Sequence, residues 1–147
     1  MPCDHILRIL HTSNKNILNA VTIASDVDSM QKTATMLYLI AGLFAIAAVI
    51  GVILIKNFLI PNRPPRAAVY IHGLLAAIAL VLMIMYIVQN QGSERFYISL
   101  ALFVVAALGG FALFFRDLRN KLGPAWLAIV HALVAVSGFL ILLFNII

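Results

Sequence analysis

Two histidines, His72 and His131, stand inside apolar stretches of this chain and are the side chains whose type and spacing could do chemistry. An ionisable group in such surroundings is costly and by default marks a proton relay, an ion path or a ligand. Each lies seven residues after a proline, Pro65 or Pro124, and the two are 59 residues apart. The same shift places Tyr38 on Tyr97, Phe44 on Phe103, Ala47 on Ala106, Ala48 on Ala107, Gly51 on Gly110 and Ala76 on Ala135. Alanine matches say little in so apolar a chain, but Tyr, Pro and His are scarce here. The coincidence therefore reads as a tandem repeat of a two-helix unit.

The elements that must position this pair are four apolar runs, at 36–55, 67–88, 96–115 and 125–147, none of which contains Asp, Glu, Lys or Arg. Each is long enough to cross about 30 Å of hydrocarbon at about 1.5 Å per helical residue. Backbone pairing must be complete within lipid, so each run is predicted to be a helix. The joints are short. Pro61, Asn62, Pro64 and Pro65 cannot continue a helix, Gly92 and Ser93 make a tight turn, and Gly123 and Pro124 end a basic loop. Short joints make neighbouring helices antiparallel. The predicted fold class is all-α: an integral membrane four-helix bundle of two helical-hairpin repeats, 36–88 and 95–147. Residues 1–35 form a preceding segment, read either as an amphipathic interfacial helix or as a partly ordered polar tail, because Thr12–Asn16 interrupts its apolar stripe.

Composition agrees with lipid as the solvent. Of the 147 residues 64% are hydrophobic and 10% charged, and the mean hydropathy is +1.09. The net charge of +5 does not point to nucleic acid, because the cations sit at the ends of apolar runs, where they meet lipid headgroups, and not in a stripe with aromatics. The single cysteine, Cys3, allows no intrachain disulfide. No signal peptide is expected, since residues 1–31 lack an uninterrupted apolar core and a small-residue cleavage site.

Helical spacing places Ala76 and Ala79 on the His72 face, and Ala135 and Gly138 on the His131 face. Small residues mark closely packed faces in membrane bundles, and Ala47 with Gly51 and Ala106 with Gly110 repeat that pattern on the other two helices. Both imidazoles are thus expected to point inward. Three readings follow. The histidines are interhelical hydrogen-bonding residues; or they are the two axial ligands of one haem b near a pseudo-two-fold axis along the membrane normal; or the chain is a small transporter, channel or assembly subunit. The last is short of polar groups in the spans beyond Ser99, Ser137 and Asn145.

In the facing pair His72 and His131 the chain resembles four-helix membrane b-type cytochromes, in which histidines on antiparallel helices hold haem between them. The resemblance is architectural and covers the four spans. It implies cofactor contacts at His72, His131, Ala76, Ala135 and Gly138, with His72 and His131 on the metal. With two histidines where those cytochromes usually have more, one bis-histidine haem is the most it implies, for electron exchange with a quinone or redox protein, or for haem handling or sensing. The stretch around Val130, His131, Ala132 and Leu133 also resembles four-span bacterial membrane proteins of no assigned function.

Other chemistry is poorly supplied. Cys3, His5 and His11 fall short of a zinc ligand set, and Met83 and Met85 are packing or lipid-facing residues sooner than copper ligands. No nucleophile with a base, paired acids or phosphate-binding glycine loop is visible, and Gly109 and Gly110 lie within a span. Lys56, Arg63, Arg66, Arg116, Arg119 and Lys121 flank one side and Arg95 the other. The expectation is a multi-pass protein of the bacterial inner membrane, possible as a homo-oligomer, with the basic loops cytoplasmic and both termini outside. Arg8, Lys15 and Lys32 count against that orientation.

Overall fold

The computed structural model describes residues 3–59, 65–90, 93–119 and 123–146, with backbone alone for 3–10, 12 and 57–59. These form four α-helices: α1 (Cys3–Leu59), α2 (Arg66–Asn90), α3 (Glu94–Leu118) and α4 (Ala125–Ile146). All four are long and apolar enough to cross a membrane. The protein is an all-α, four-helix bundle of the multi-pass membrane type.

The first helix starts far ahead of the apolar run at Met36. Neither glycine nor proline occurs between Cys3 and Ala41, so the polar interruption at Thr12–Asn16 removes apolar contacts without breaking the backbone ladder. Chain contacts divide the protein into Met1–Thr35 and Met36–Ile147. The first unit is helix with exposed side chains, including Ile17, Leu18, Val21, Ile23 and Met30. Thr22 and Ser25 donate their hydroxyls back to the carbonyls of Leu18 and Thr22. An Asp28–Lys32 pair at 2.7 Å spans one turn, and its hydrogen bond holds the lysine ammonium above its usual pKa.

The second unit has an inverted surface. Leu39, Ile46, Val49 and Val52 on α1, Leu74, Val81 and Val88 on α2, and Leu133, Leu140 and Phe144 on α4 are all exposed. In water so continuous an apolar surface would aggregate, whereas in lipid it costs nothing. What is buried is a narrow seam. Ile40, Ala79, Met83, Ser99 and Leu142 are closed off to 1% exposure or less, and Phe44, Tyr86, Ile87, Phe96 and Phe103 join them in the core.

One polar contact pins that core. Ser99 Oγ donates to the carbonyl oxygen of Gly138 at 2.8 Å, fully buried. Gly138 has no side chain because a Cβ there would stand 3.2 Å from Leu102 Cβ and 3.4 Å from the Ser99 carbonyl. Glycine thus lets α3 and α4 approach until the hydroxyl reaches across. Ser99→Ala is expected to destabilise the bundle by about 0.6 kcal/mol, the average for an interhelical hydrogen bond in membranes. Unfolding in mixed micelles measures this, and an unchanged midpoint would contradict it.

Repeat-equivalent positions adopt equivalent structure. The Pro65 carbonyl accepts from the amides of Ala68 and Val69, and the Pro124 carbonyl from those of Leu127 and Ala128. Proline therefore caps α2 and α4 alike, where its missing N–H has no partner to lose. Phe44 and Phe103, also equivalent, stack with ring centroids 3.9 Å apart and planes within 1°. Two copies of one position touch each other only close to the axis relating them, so this stack marks the axis.

Candidate functional site

From the phenylalanine stack toward Pro65 and Pro124 the bundle opens into a cavity of about 270 Å³. Its wall is built from both repeats in matched pairs: Ala47 with Ala106, Ala48 with Ala107, Gly51 with Gly110, His72 with His131, Ala76 with Ala135 and Leu80 with Phe139. The two imidazoles stand edge to face there, with ring centroids 6.2 Å apart and planes at 75°.

Each ring is held the same way. His72 Nδ1 lies 2.8 Å from the Ala47 carbonyl oxygen on α1, and His131 Nδ1 lies 2.7 Å from the Ala106 carbonyl oxygen on α3. A carbonyl only accepts, so Nδ1 carries the proton in both rings and, in the neutral imidazole, Nε2 is left with its lone pair. No described side chain or backbone group hydrogen-bonds either Nε2, and no polar side-chain atom that is fully enclosed lacks a partner. Both rings stand on the cavity wall.

The glycines explain how an imidazole reaches a helical carbonyl. In an α-helix the carbonyl of residue i points at residue i+4, whose side chain screens it from the neighbour. At Ala47 and Ala106 the residue at i+4 is Gly51 and Gly110. A Cβ on Gly51 would stand 3.2 Å from His72 Cε1, and one on Gly110 3.1 Å from His131 Cε1. Each glycine is a notch in which an imidazole edge lies. A Cβ on Gly109 would stand 3.6 Å from His131 Cβ, where α1 has Ile50.

Of the residues singled out by sequence, His72, His131, Ala76 and Ala135 line the cavity. Gly138 does not, since it packs against Leu102 and Ser99 on α3. It lies seven residues beyond His131 on α4, two turns deeper, at the level of the closed core. His11 is exposed, and the side chains of Cys3 and His5 lie outside the described residues. Among the described residues no three His, Cys, Asp or Glu side chains converge. Met83 is buried in the core and Met85 exposed. Sequence reading took Gly51 and Gly110 for helix-packing positions and missed that they seat the histidines. The available signal was a shared offset of 25 residues from Ala47 to His72 and from Ala106 to His131. Asp117, the acidic residue on the wall, was also missed.

Fold and site together define a class: a membrane four-helix bundle with internal pseudo-two-fold symmetry and a histidine pair on an apolar cavity. No protein family matches the chain, and comparison with curated proteins and with solved structures likewise gives no match.

Proposed function

We propose that this protein binds one haem b between His72 and His131, and that it serves one-electron transfer or the handling or sensing of haem. The observation that carries the reading is the arrangement of the imidazoles: both tautomers fixed through Nδ1, both rings on the wall of one apolar cavity, and ring centroids 6.2 Å apart. A metal–imidazole bond of about 2.0–2.1 Å on each side of a single ion gives ring centres about 6 Å apart. Haem ligands characteristically donate their second ring N–H to a carbonyl or carboxylate, which fixes the ring and raises its basicity. Between the rings the wall is alanine and glycine, side chains small enough for the edge of a planar macrocycle to pass.

Haem held there by His72 and His131 would supply reversible one-electron chemistry. The chain's own contributions are to hold two neutral imidazoles in register, to keep the site apolar, and to leave one end of the cavity near the membrane face. A quinone or a redox protein at that face is the exchange partner this placement favours. With Lys56, Arg66, Arg116 and Arg119 on that side and Arg95 on the other, the orientation we favour puts the site near the cytoplasmic face of a bacterial inner membrane.

A second reading has a specific observation in its favour. The Nδ1–carbonyl bonds tie α2 to α1 and α4 to α3, which is what purely structural histidines in a transport or assembly subunit would do. The experiment that separates the two is an absorption spectrum of detergent-purified protein expressed with added haem, oxidised and then reduced with dithionite. Sharp reduced α and β bands are the expected result. A protein that stays colourless after haem is supplied removes the haem reading and leaves the second.

A further inference from the structure

Within the unit Met1–Thr35, the part of α1 from 13 to 35 is helical, and its side chains are exposed apart from the half-buried Thr33. Poor intrinsic helix formers, Ser, Asn, Asp, Thr, Val and Ile, fill most of 13–29. A helix of that composition owes its stability to an apolar face packed on something else, not to propensity. Such a face is present. Ile17, Ala20, Ala24, Val27, Gln31 and Ala34 follow one another at alternating spacings of three and four residues, the period of a coiled-coil seam. Ile23 and Met30 flank it on one side and Val21 on the other, all exposed. Polar groups off the seam are served within the helix: Thr22, Ser25 and Ser29 donate back to carbonyls one turn earlier, and Lys32 pairs with Asp28 at 2.7 Å.

We propose that this seam pairs with the same seam of a second copy of the chain, as a parallel, in-register, two-stranded coiled coil over 17–34. Copies inserted alike in one membrane present this segment on the same side and are related by a two-fold axis along the membrane normal, so the paired helices run parallel. In that register Ile17, Ala20, Ala24, Val27 and Ala34 each meet their own counterpart, and the alanines let the two axes come close. Gln31 shares the a position with Ile17 and Ala24, where two facing amides hydrogen-bond and a polar pair fixes register and strand number. Charge agrees with the pairing. Across such a seam the flanking residues that meet lie five apart, so Asp28 of one copy faces Ile23 of the other, Val21 faces Asn16 and Thr35 faces Met30, and no like charges are opposed. A lipid surface suits the segment less well. Interfacial helices draw on an excess of Lys and Arg on the polar face, whereas here Asp26 and Asp28 offset Lys15 and Lys32, and Ala20, Ala24 and Ala34 offer lipid little apolar area. The seam is about 26 Å long, or about two and a half heptads, against the roughly three to four expected of a free coiled coil. Confinement of both copies to one bilayer raises their effective concentration and makes up the difference. The inference is independent of the haem reading.

The test uses the full-length protein in lipid vesicles, in a Cys3→Ser background with single cysteines introduced along the helix and oxidised to form disulfides between copies. Ala20→Cys, Ala24→Cys, Val27→Cys and Ala34→Cys are expected to give several-fold more linked dimer than Thr22→Cys and Ser29→Cys, whose positions face away from the seam. Adding Val27→Glu to Ala24→Cys should abolish the dimer, whereas adding Thr22→Glu, the same charge on the outer side of the same segment, should leave it in place. Equal yields all around the helix, or a dimer that survives Val27→Glu, would overturn the pairing. Uniformly low yields would overturn it as well, and seam positions that are then shielded from a membrane-impermeant maleimide would identify the lipid surface as the occupant. None of these variants alters the histidine pair, so failure of the seam is separate from failure of the haem reading.

Discussion

Replacing either His72 or His131 with alanine is expected to abolish the reduced α and β bands, and the double replacement to do no more than each single one. The reason is the symmetry of the pair. The rings stand edge to face with centroids 6.2 Å apart on one cavity, so on the proposed reading His72 and His131 would hold the haem together, and losing one would release it as fully as losing two. Stability should follow the same pattern. A ligand present at about a hundredfold over its dissociation constant stabilises the folded state by about 2.7 kcal/mol. That increment disappears in every histidine variant. In the haem-free protein each alanine instead removes a single interhelical hydrogen bond, about 0.6 kcal/mol on average, and the two losses should add because the bonds lie on separate helix pairs. His72→Gln and His131→Gln refine the comparison by keeping an N–H donor for the carbonyl without an iron ligand. Spectra and unfolding midpoints with and without added haem provide the measurements. Additive effects in both conditions, with no haem-dependent increment, would assign the histidines to structure alone.

The second large effect is expected at the glycine notches. Gly51→Leu and Gly110→Leu should each push an imidazole off its carbonyl, destabilise the bundle by about 2–4 kcal/mol and, by the same displacement, eliminate haem binding. An overpacked site typically costs about 1–3 kcal/mol, to which the lost hydrogen bond adds. Alanine at the same positions is a finer probe. Its Cβ would lie 3.2 Å from His72 Cε1 or 3.1 Å from His131 Cε1, so each ring must retreat by a few tenths of an ångström. The gain in helix propensity, up to about 1 kcal/mol, opposes that cost. Gly73→Ala isolates the propensity term, because a Cβ at Gly73 meets nothing within 4 Å. The expected order of stability is Gly73→Ala, then Gly51→Ala, then Gly110→Ala, where the closer approach and a shorter hydrogen bond leave His131 less room to give. Unfolding curves give the order, and ¹⁵N chemical shifts of the histidine Nδ1 report the bond directly. Nδ1 shifts that do not move in the leucine variants would show that the notch does not seat the ring.

Much of this was legible before any coordinates, for identifiable reasons. Spans are readable because lipid forbids unpaired backbone: four charge-free runs with basic or proline-rich joints admit helices and little else. The repeat is readable because Tyr38 with Tyr97, Pro65 with Pro124 and His72 with His131 are scarce residue types that coincide under one shift. Helix start points were less legible. Residues 3–35 contain no helix breaker but also no lipid-length apolar run, so α1 has no local signal near Met36 that would begin it there, and the structure carries the helix back to Cys3.

The amino-acid sequence by itself determined the class of protein, its four crossings and the identity of the paired histidines, since hydrophobic length and residue scarcity are properties of the chain alone. Which face of each helix meets which, and how closely, depended on tertiary structure. Gly138 and Gly110 are both glycines on small-residue helix faces, yet one admits the Ser99 hydroxyl to a helix crossing and the other admits an imidazole to a carbonyl. Helical periodicity cannot tell these apart, because it gives an angle around one axis and not the distance to the next. The cavity, the fixed tautomers and the acidic Asp117 on its wall arise from those distances, and with them everything that makes the histidine pair a candidate site.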